Sequence, residues 1–298
     1  MNYIYEDSVK KIIPSNSLYQ HKGNCGKVLI CGGSKGFTGA VCMSANAALR
    51  TGSGLVTVAV PDSLNNIYEI KLTEAMSLPL EDENGYFTKN SYKKALDFAL
   101  TCDAVAIGPG GGESFGYVAE KFILDCPKPM VIDADAINYL SQNTDLLFKK
   151  KAPVILTPHV GEMSRLTGRP IEQINSDRVN TAEEFSKKYN VITVLKGFNT
   201  VITDGVNTFI NTTGNEGMAT GGAGDVLTGM ILSLLGRKVN PVNSAILGTY
   251  LHGLAGDFAK SKFNAYSMTA TDIIENIYEA INKLSEGDSN DRKIKDLV

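Results

Sequence analysis

Short runs rich in Val and Ile recur along the chain, and almost every one stops at a loop of glycines or small polar residues before a longer helical pattern begins. Lys27–Cys31 runs into Gly32 and Gly33, Ala104–Ile107 into Gly108–Gly112, and Met130–Asp133 into the Asp-Ala-Asp-Ala segment that starts at Asp133. Val154–Leu156 runs into Thr157-Pro158-His159, and Val191–Lys196 into Gly197. Strands alternating with helices favour parallel βαβ units. In an open parallel sheet the carboxyl ends of the strands face one crevice, where ligands bind. Leu55–Val60, stopped by Pro61, adds a further strand. Thr200–Thr203 and Thr208–Asn211 flank an Asp-Gly pair suited to a tight antiparallel turn. The fold class expected is therefore α/β, a central mostly parallel sheet flanked by helices with an antiparallel hairpin at one edge. Helices are expected near 38–50, 225–235, 242–260 and 270–284.

No linker or internal repeat divides the 298 residues, so a single domain is expected over 1–298, with an N-terminal arm over 1–20 and a charged, frayed tail over 286–298. Hydrophobic residues make up 43% and charged residues 20%, an ordinary globular balance that excludes extensive disorder. The net charge of −3 lacks the cationic footprint of a nucleic-acid binder, so no nucleic-acid partner is expected. No apolar run approaches the roughly 18–20 residues that span a bilayer, and the first residues lack the form of a signal peptide. No membrane association and a cytoplasmic location are expected. The five cysteines form an odd set without a C-x-x-C pair and read as reduced thiols, neither a disulfide framework nor a zinc site.

The segment from Gly214 to Gly229 carries the strongest chemistry. Its glycines, at 214, 217, 221, 222 and 224, leave the backbone bare just before an apolar helix. Amides converging at a helix N-terminus bind anions, so Gly221, Gly222, Ala223 and Gly224 read as a phosphate loop. Asp225 sits at its mouth, either as the base that takes a proton from an attacking hydroxyl in phosphoryl transfer or as a helix cap. Neither a G-x-x-x-x-G-K-[ST] loop, nor a G-x-G-x-x-G fingerprint, nor H-E-x-x-H occurs. The Gly32–Ala40 loop permits close ligand approach near Gly39 and Ala40, or is a tight βα turn with Thr38 as cap. Gly108–Gly112 carries the same two readings. His159, at a strand's carboxyl end, favours a ligand contact, with Glu162 at a helix start. Lys196 either neutralises phosphate or is a solvated strand-end lysine. Asp133 and Asp135 hold Mg²⁺ through water or, by default, cap the next helix. His252 reads as a packed or paired helix residue.

Assembled in order, HKGNCGKVLICGGSKGFTGA, RTGSGLVTVAVP, AIGPGGG, VIDADAIN, LTPHVGEMSRL, VLKGFNTVITDG, NTTGNEGMATGGAGDVLTGMI and YLHGLAGD resemble the ADP-dependent NAD(P)H-hydrate dehydratases of the ribokinase-like superfamily, over about residues 21–257. Val160 stands where that family usually has a second proline, and Ala223 occupies the variable place of its GGxGD. The resemblance implies a ribokinase-like fold and dehydration of hydrated NADH or NADPH (NAD(P)HX, S epimer) by ADP, giving AMP and phosphate. Mg²⁺ is implied with the phosphates, its protein ligands unassigned. By the same resemblance Asp225 is the base, and Ala40, Gly112, His159 and Asp225 line the hydrate site. Lys196, Gly197, Phe198, Asn199, Thr200 and Gly224 hold the adenine nucleotide. The family also implies a homotetramer, and the epimerase activity of the domain that precedes this one in some relatives is not expected here. Two other readings stay open: a ribokinase-like small-alcohol kinase, and a non-catalytic nucleotide sensor.

Overall fold

The computed structural model describes residues 2–14 and 21–285; the tail expected to fray, 286–298, lies outside the described residues. The strands are β1 (Asn2–Ile4), β2 (Lys27–Cys31), β3 (Leu55–Pro61), β4 (Met76–Leu80), β5 (Asp82–Glu83), β6 (Tyr86–Phe87), β7 (Ala104–Ile107), β8 (Met130–Ile132), β9 (Val154–Leu156), β10 (Ile192–Leu195), β11 (Val201–Thr203) and β12 (Thr208–Asn211). Among the described residues ten of them form one sheet in the order β1-β12-β11-β10-β9-β8-β7-β2-β3-β4, and β5 and β6 form a separate ribbon. From β10 to β4 every pairing is parallel, whereas β11 pairs antiparallel with both β10 and β12.

The unbroken apolar strands are explained by burial on both faces. In β2, Val28 and Ile30 enter one core with the helices Thr38–Arg50, Ala223–Gly236 and Pro241–Ser267. Leu29 and Cys31 enter the opposite core with Gly116–Asp125, Ala134–Leu140, Val160–Thr167 and Arg178–Tyr189. From β2 the chain steps outward to β3 and β4, then returns to β7 on the other side and steps outward again to β10. The strand order thus reverses between β2 and β7, which places a topological switch point between the loops that follow them. Those loops are stitched together, Gly33 N donating to Pro109 O and Ser34 N to Gly110 O.

Three features depart from the sequence reading. The arm contains β1, which pairs in parallel with β12 and becomes the outermost strand beyond the hairpin, followed by a short helix, Glu6–Lys10. The helix expected over 270–284 is two, Ala270–Glu275 and Ile277–Ser285, because buried Asn276 turns its side-chain amide back to donate to Asp272 O at 2.7 Å. Thr38 is the first helical residue and does not cap its helix, whose N-cap position is held by Phe37 with no side-chain cap bond.

The helices Thr38–Arg50 and Ala223–Gly236 cross so closely that a Cβ at Gly229 would lie 2.1 Å from Ser44 O. Gly229→Ala is therefore expected to lose stability by about 1–3 kcal/mol, the usual cost of overpacking, although alanine is the better helix former. A thermal melt checks it; an unchanged or raised Tm would show that the two helices are free to separate.

Candidate active site

A cavity of about 990 Å³ opens at the carboxyl ends of β8, β9 and β10, closed on its far side by the start of the helix Ala223–Gly236. It brings together His159, Glu162, Lys196–Thr200, Gly222–Asp225, Asp133 and His252. Gly221 stands outside the lining with open space around it. Ala40 and Gly112 also lie outside the lining, at the switch point beside the cavity. A Cβ on Gly110 would approach the Ala40 Cβ to 3.0 Å, and Gly112 N donates to Asp135 Oδ2 at 2.8 Å.

Asp133 is the centre of the site. It stands at a helix N-cap position, yet no side-chain cap bond forms there, so the default capping reading is corrected. Its side chain, 2% exposed, accepts from Thr157 Oγ1 and Thr228 Oγ1, each at 2.8 Å, and from Lys196 Nζ at 3.0 Å. Ala134, next to it, adopts a left-handed φ of 48°, a conformation a non-glycine residue holds only where its surroundings over-determine it. Asp135 likewise turns away from capping to bond Gly112.

Lys196 reaches inward, its side chain 21% exposed and its ammonium 3.9 Å from Glu162 Oε2, so the solvated strand-end reading fails. Burial alone would lower its pKa, but Asp133 and Glu162 together hold it above the usual lysine value. The same ammonium faces the glycine loop, where a Cβ at Gly224 would lie 3.2 Å from Nζ.

Asp225 lies in the first turn of its helix, which starts at Gly222 with no side-chain cap. Burial, reinforced by the charge of Asp133 and opposed by Lys196, pushes its carboxyl up to about 7. His159 opens the helix Val160–Thr167 through a capping box: Nδ1 accepts from Gly161 N at 2.9 Å and Glu162 N at 3.2 Å, and Glu162 Oε2 accepts from His159 N at 2.7 Å. Glu162 is thus the helix-start residue expected, but it is also buried in the cavity wall, its side chain 5% exposed. His252 lines the cavity too, with Nε2 buried and unpartnered, and burial drives its pKa down to about 4.

Two supports escaped the sequence reading. Arg178 braces the 196–200 loop, donating from Nη2 to Leu195 O at 2.8 Å and from Nη1 to Phe198 O at 2.5 Å. Asp257 accepts Gly214 N at 3.0 Å and Asn215 Nδ2 at 2.9 Å, fixing the start of the glycine segment. Asp257 belongs to a recognisable motif, whereas nothing near Arg178 in sequence marks it.

Among the described residues no three His, Cys, Asp or Glu side chains converge as a metal cage. Asp133, the most central carboxylate, has both oxygens occupied and an ammonium beside it. The side chains present do not fit a protein-held magnesium ion.

A family model for NAD(P)H-hydrate dehydratases matches residues 28–279. The ADP-dependent (S)-NAD(P)H-hydrate dehydratase of Bacillus subtilis is 32% identical over 282 residues, covering 92% of this chain and 96% of that protein. A bifunctional NAD(P)H-hydrate repair enzyme of Moorella thermoacetica is 40% identical over 92% of this chain but only 52% of its own length. The chain spans about half the length of such bifunctional relatives. The crystal structure of the Bacillus subtilis ADP/ATP-dependent NAD(P)H-hydrate dehydratase, co-crystallised with ATP/Mg²⁺, superposes with a TM-score of 0.84 at 29% identity, covering 95% of this chain and 98% of that one. A ribokinase-like superfamily protein of Enterococcus faecalis gives 0.83 at 28% identity, covering 95% and 96%.

Removing Asp133 would leave the half-buried Lys196 ammonium without its closest counterion. Asp133→Ala is expected to cost about 3 kcal/mol, the lower end for breaking a buried pair, and adding Lys196→Met should recover part of it. Chemical denaturation of the two variants checks this; a double variant no more stable than the single one would mean that the pair's charges are not the source of the loss.

Proposed function

Because the chain belongs to the NAD(P)H-hydrate dehydratase family, we propose that it repairs hydrated NADH and NADPH, dehydrating the S epimer at the expense of ADP and releasing AMP and phosphate. The observation that carries this reading is the Asp225 carboxyl, half-buried in the first turn beside a bare helix N-terminus, with its pKa raised to about 7. A ring hydroxyl leaves poorly. Transfer of the terminal phosphoryl of ADP turns it into a good leaving group, and elimination restores the dihydropyridine.

In this reading Asp225 accepts the hydroxyl proton as oxygen attacks phosphorus, and a base with a pKa near the working pH suits that task. Amides of Gly222–Gly224 and the Lys196 ammonium stabilise the charge developing on the transferred group. His159 and Asp225 face the hydrate, with Ala40 and Gly112 beside the cavity at its switch-point end. Lys196–Thr200 with Gly224 take the adenine nucleotide, the loop held in shape by Arg178. Magnesium in this scheme arrives on the nucleotide's phosphates, since the described residues offer no cage for it. No helix among the described residues is long and apolar enough to cross a membrane.

The test is to incubate the protein with hydrated NADH, magnesium and either ADP or ATP, following the absorbance of the reduced ring and the products. Recovery with AMP release, faster with ADP, is expected. A stable phosphorylated product would instead favour the small-alcohol kinase reading, and a clear preference for ATP would overturn the choice of nucleotide.

Asp225→Asn is expected to lower turnover by at least about 10²-fold, the lower range for lost acid–base catalysis, with ADP affinity unchanged or stronger. Stability should move the other way. Since the folded pKa of Asp225 lies above its unfolded value, the ionised carboxylate destabilises the fold fully above pH 7 and not at all below about pH 4. The variant should melt higher than wild type at pH 8, with the gain vanishing toward pH 4. A folded variant retaining more than about a tenth of the turnover would remove Asp225 from the chemistry.

A further inference from the structure

Removing water from a hydrated ring takes a hydroxyl from one carbon and a proton from its neighbour. The repair reading, on which this inference rests, therefore involves two proton transfers, and Asp225 accounts for only the first. We propose that Glu162 is the second base, the carboxylate that takes the ring C–H proton when phosphate leaves.

The other groups of the cavity are already committed. Asp133 has its oxygens filled by Thr157, Thr228 and Lys196, and Lys196 is held protonated by its carboxylate neighbours. His159 spends the Nδ1 lone pair on two backbone amides, which leaves its hydrogen on Nε2 and no basic nitrogen free. His252 is too weak a base, its pKa driven down by burial to about 4. Glu216, also in the lining, is an exposed carboxylate paired with Lys260 Nζ at 2.7 Å. Glu162 remains: it faces the same cavity as Asp225, one oxygen anchored to His159 N and the other 3.6 Å from His159 Nε2.

Its surroundings suit the task. Burial holds the Glu162 carboxyl well above the usual range; Asp133 adds to this, while Lys196, the His159 amide and Arg165 oppose it. Asp225 faces the same space from the glycine-loop helix.

The balance is complete without a further reactant. In the first step the hydroxyl proton passes to Asp225, the hydroxyl oxygen bonds to the terminal phosphorus of ADP, and AMP leaves with the electron pair of the broken P–O bond. In the second, the ring C–O bond breaks with its pair going to phosphate, the neighbouring C–H proton passes to Glu162, and the C–H pair becomes the ring double bond. The elimination is redox-neutral overall and needs no oxidant or reductant.

The experiment is a single-turnover reaction of Glu162→Gln with hydrated NADH, ADP and magnesium, with AMP and the restored ring absorbance followed separately. Gln keeps the capping box, since its amide oxygen still accepts His159 N, and a thermal melt verifies the fold. AMP formation should stay within a few-fold of wild type while ring recovery slows by at least about 10²-fold, the phosphorylated hydrate accumulating between them. Glu162→Asp should recover part of the second rate. In wild type, single-turnover ring recovery should rise with pH as Glu162 ionises and should slow when the departing hydrogen is deuterium.

Equal slowing of AMP and ring formation, ring recovery above about a tenth of wild type, or restoration of Glu162→Gln by extra magnesium would each overturn the assignment. Absence of both products with wild-type protein would instead overturn the repair reading itself.

Discussion

The site is held together by one buried carboxylate. Asp133 follows β8, Thr157 follows β9, Lys196 follows β10 and Thr228 lies on the helix Ala223–Gly236, so its three hydrogen bonds tie three strand ends and the glycine-loop helix to a single point. A buried charge is costly unless it is paired and its oxygens satisfied. Here both conditions hold, and meeting them fixes the lysine against the loop. The twist at Ala134 is the local strain of delivering this side chain into the cavity and away from its own helix.

The same pair leaves the remaining charges unbalanced. Asp133 is matched by Lys196, while burial, with the charge of Asp133 adding to it and Lys196 opposing, pushes the carboxyls of both Glu162 and Asp225 upward. For Asp225 two effects compete. A helix N-terminus favours its charged form by at most about 2 kcal/mol. The rise from 3.8 to about 7 corresponds to a disfavouring on the order of 4 kcal/mol, so burial and like charge win. A group of this kind holds its proton near neutrality and exchanges it readily, which a merely capping aspartate would not do.

Most of the sheet and the glycine loop could be read in the sequence because both are local signals. Apolar runs mark strands covered on two faces, and the glycines after β2, β7 and β10 mark the crevice edge. The wiring of the site was not legible in the same way. Thr228 reaches Asp133 across 95 residues and Lys196 across 63, so no window along the chain could show that Asp133 bonds them in place of capping its helix. Arg178 acts by supporting carbonyls it meets only after folding. The arm gave no periodic signal because its strand has three residues and is completed by β12.

His159 shows why a histidine suits the start of its helix. Ser, Thr, Asp or Asn would satisfy the free amides as well, but each ends at the atoms that cap. The imidazole caps with Nδ1 and carries its hydrogen on Nε2, at the far side of a rigid ring in the cavity wall. Burial, with Lys196 and Arg165 adding to it and Asp133 opposing, lowers its pKa and keeps the ring neutral. Protonation would have to place a hydrogen between Nδ1 and two amide donors, so the cap and the electrostatics enforce the same state. One side chain thereby fixes the backbone and presents a hydrogen-bond donor, which leaves proton exchange to the carboxyls around it.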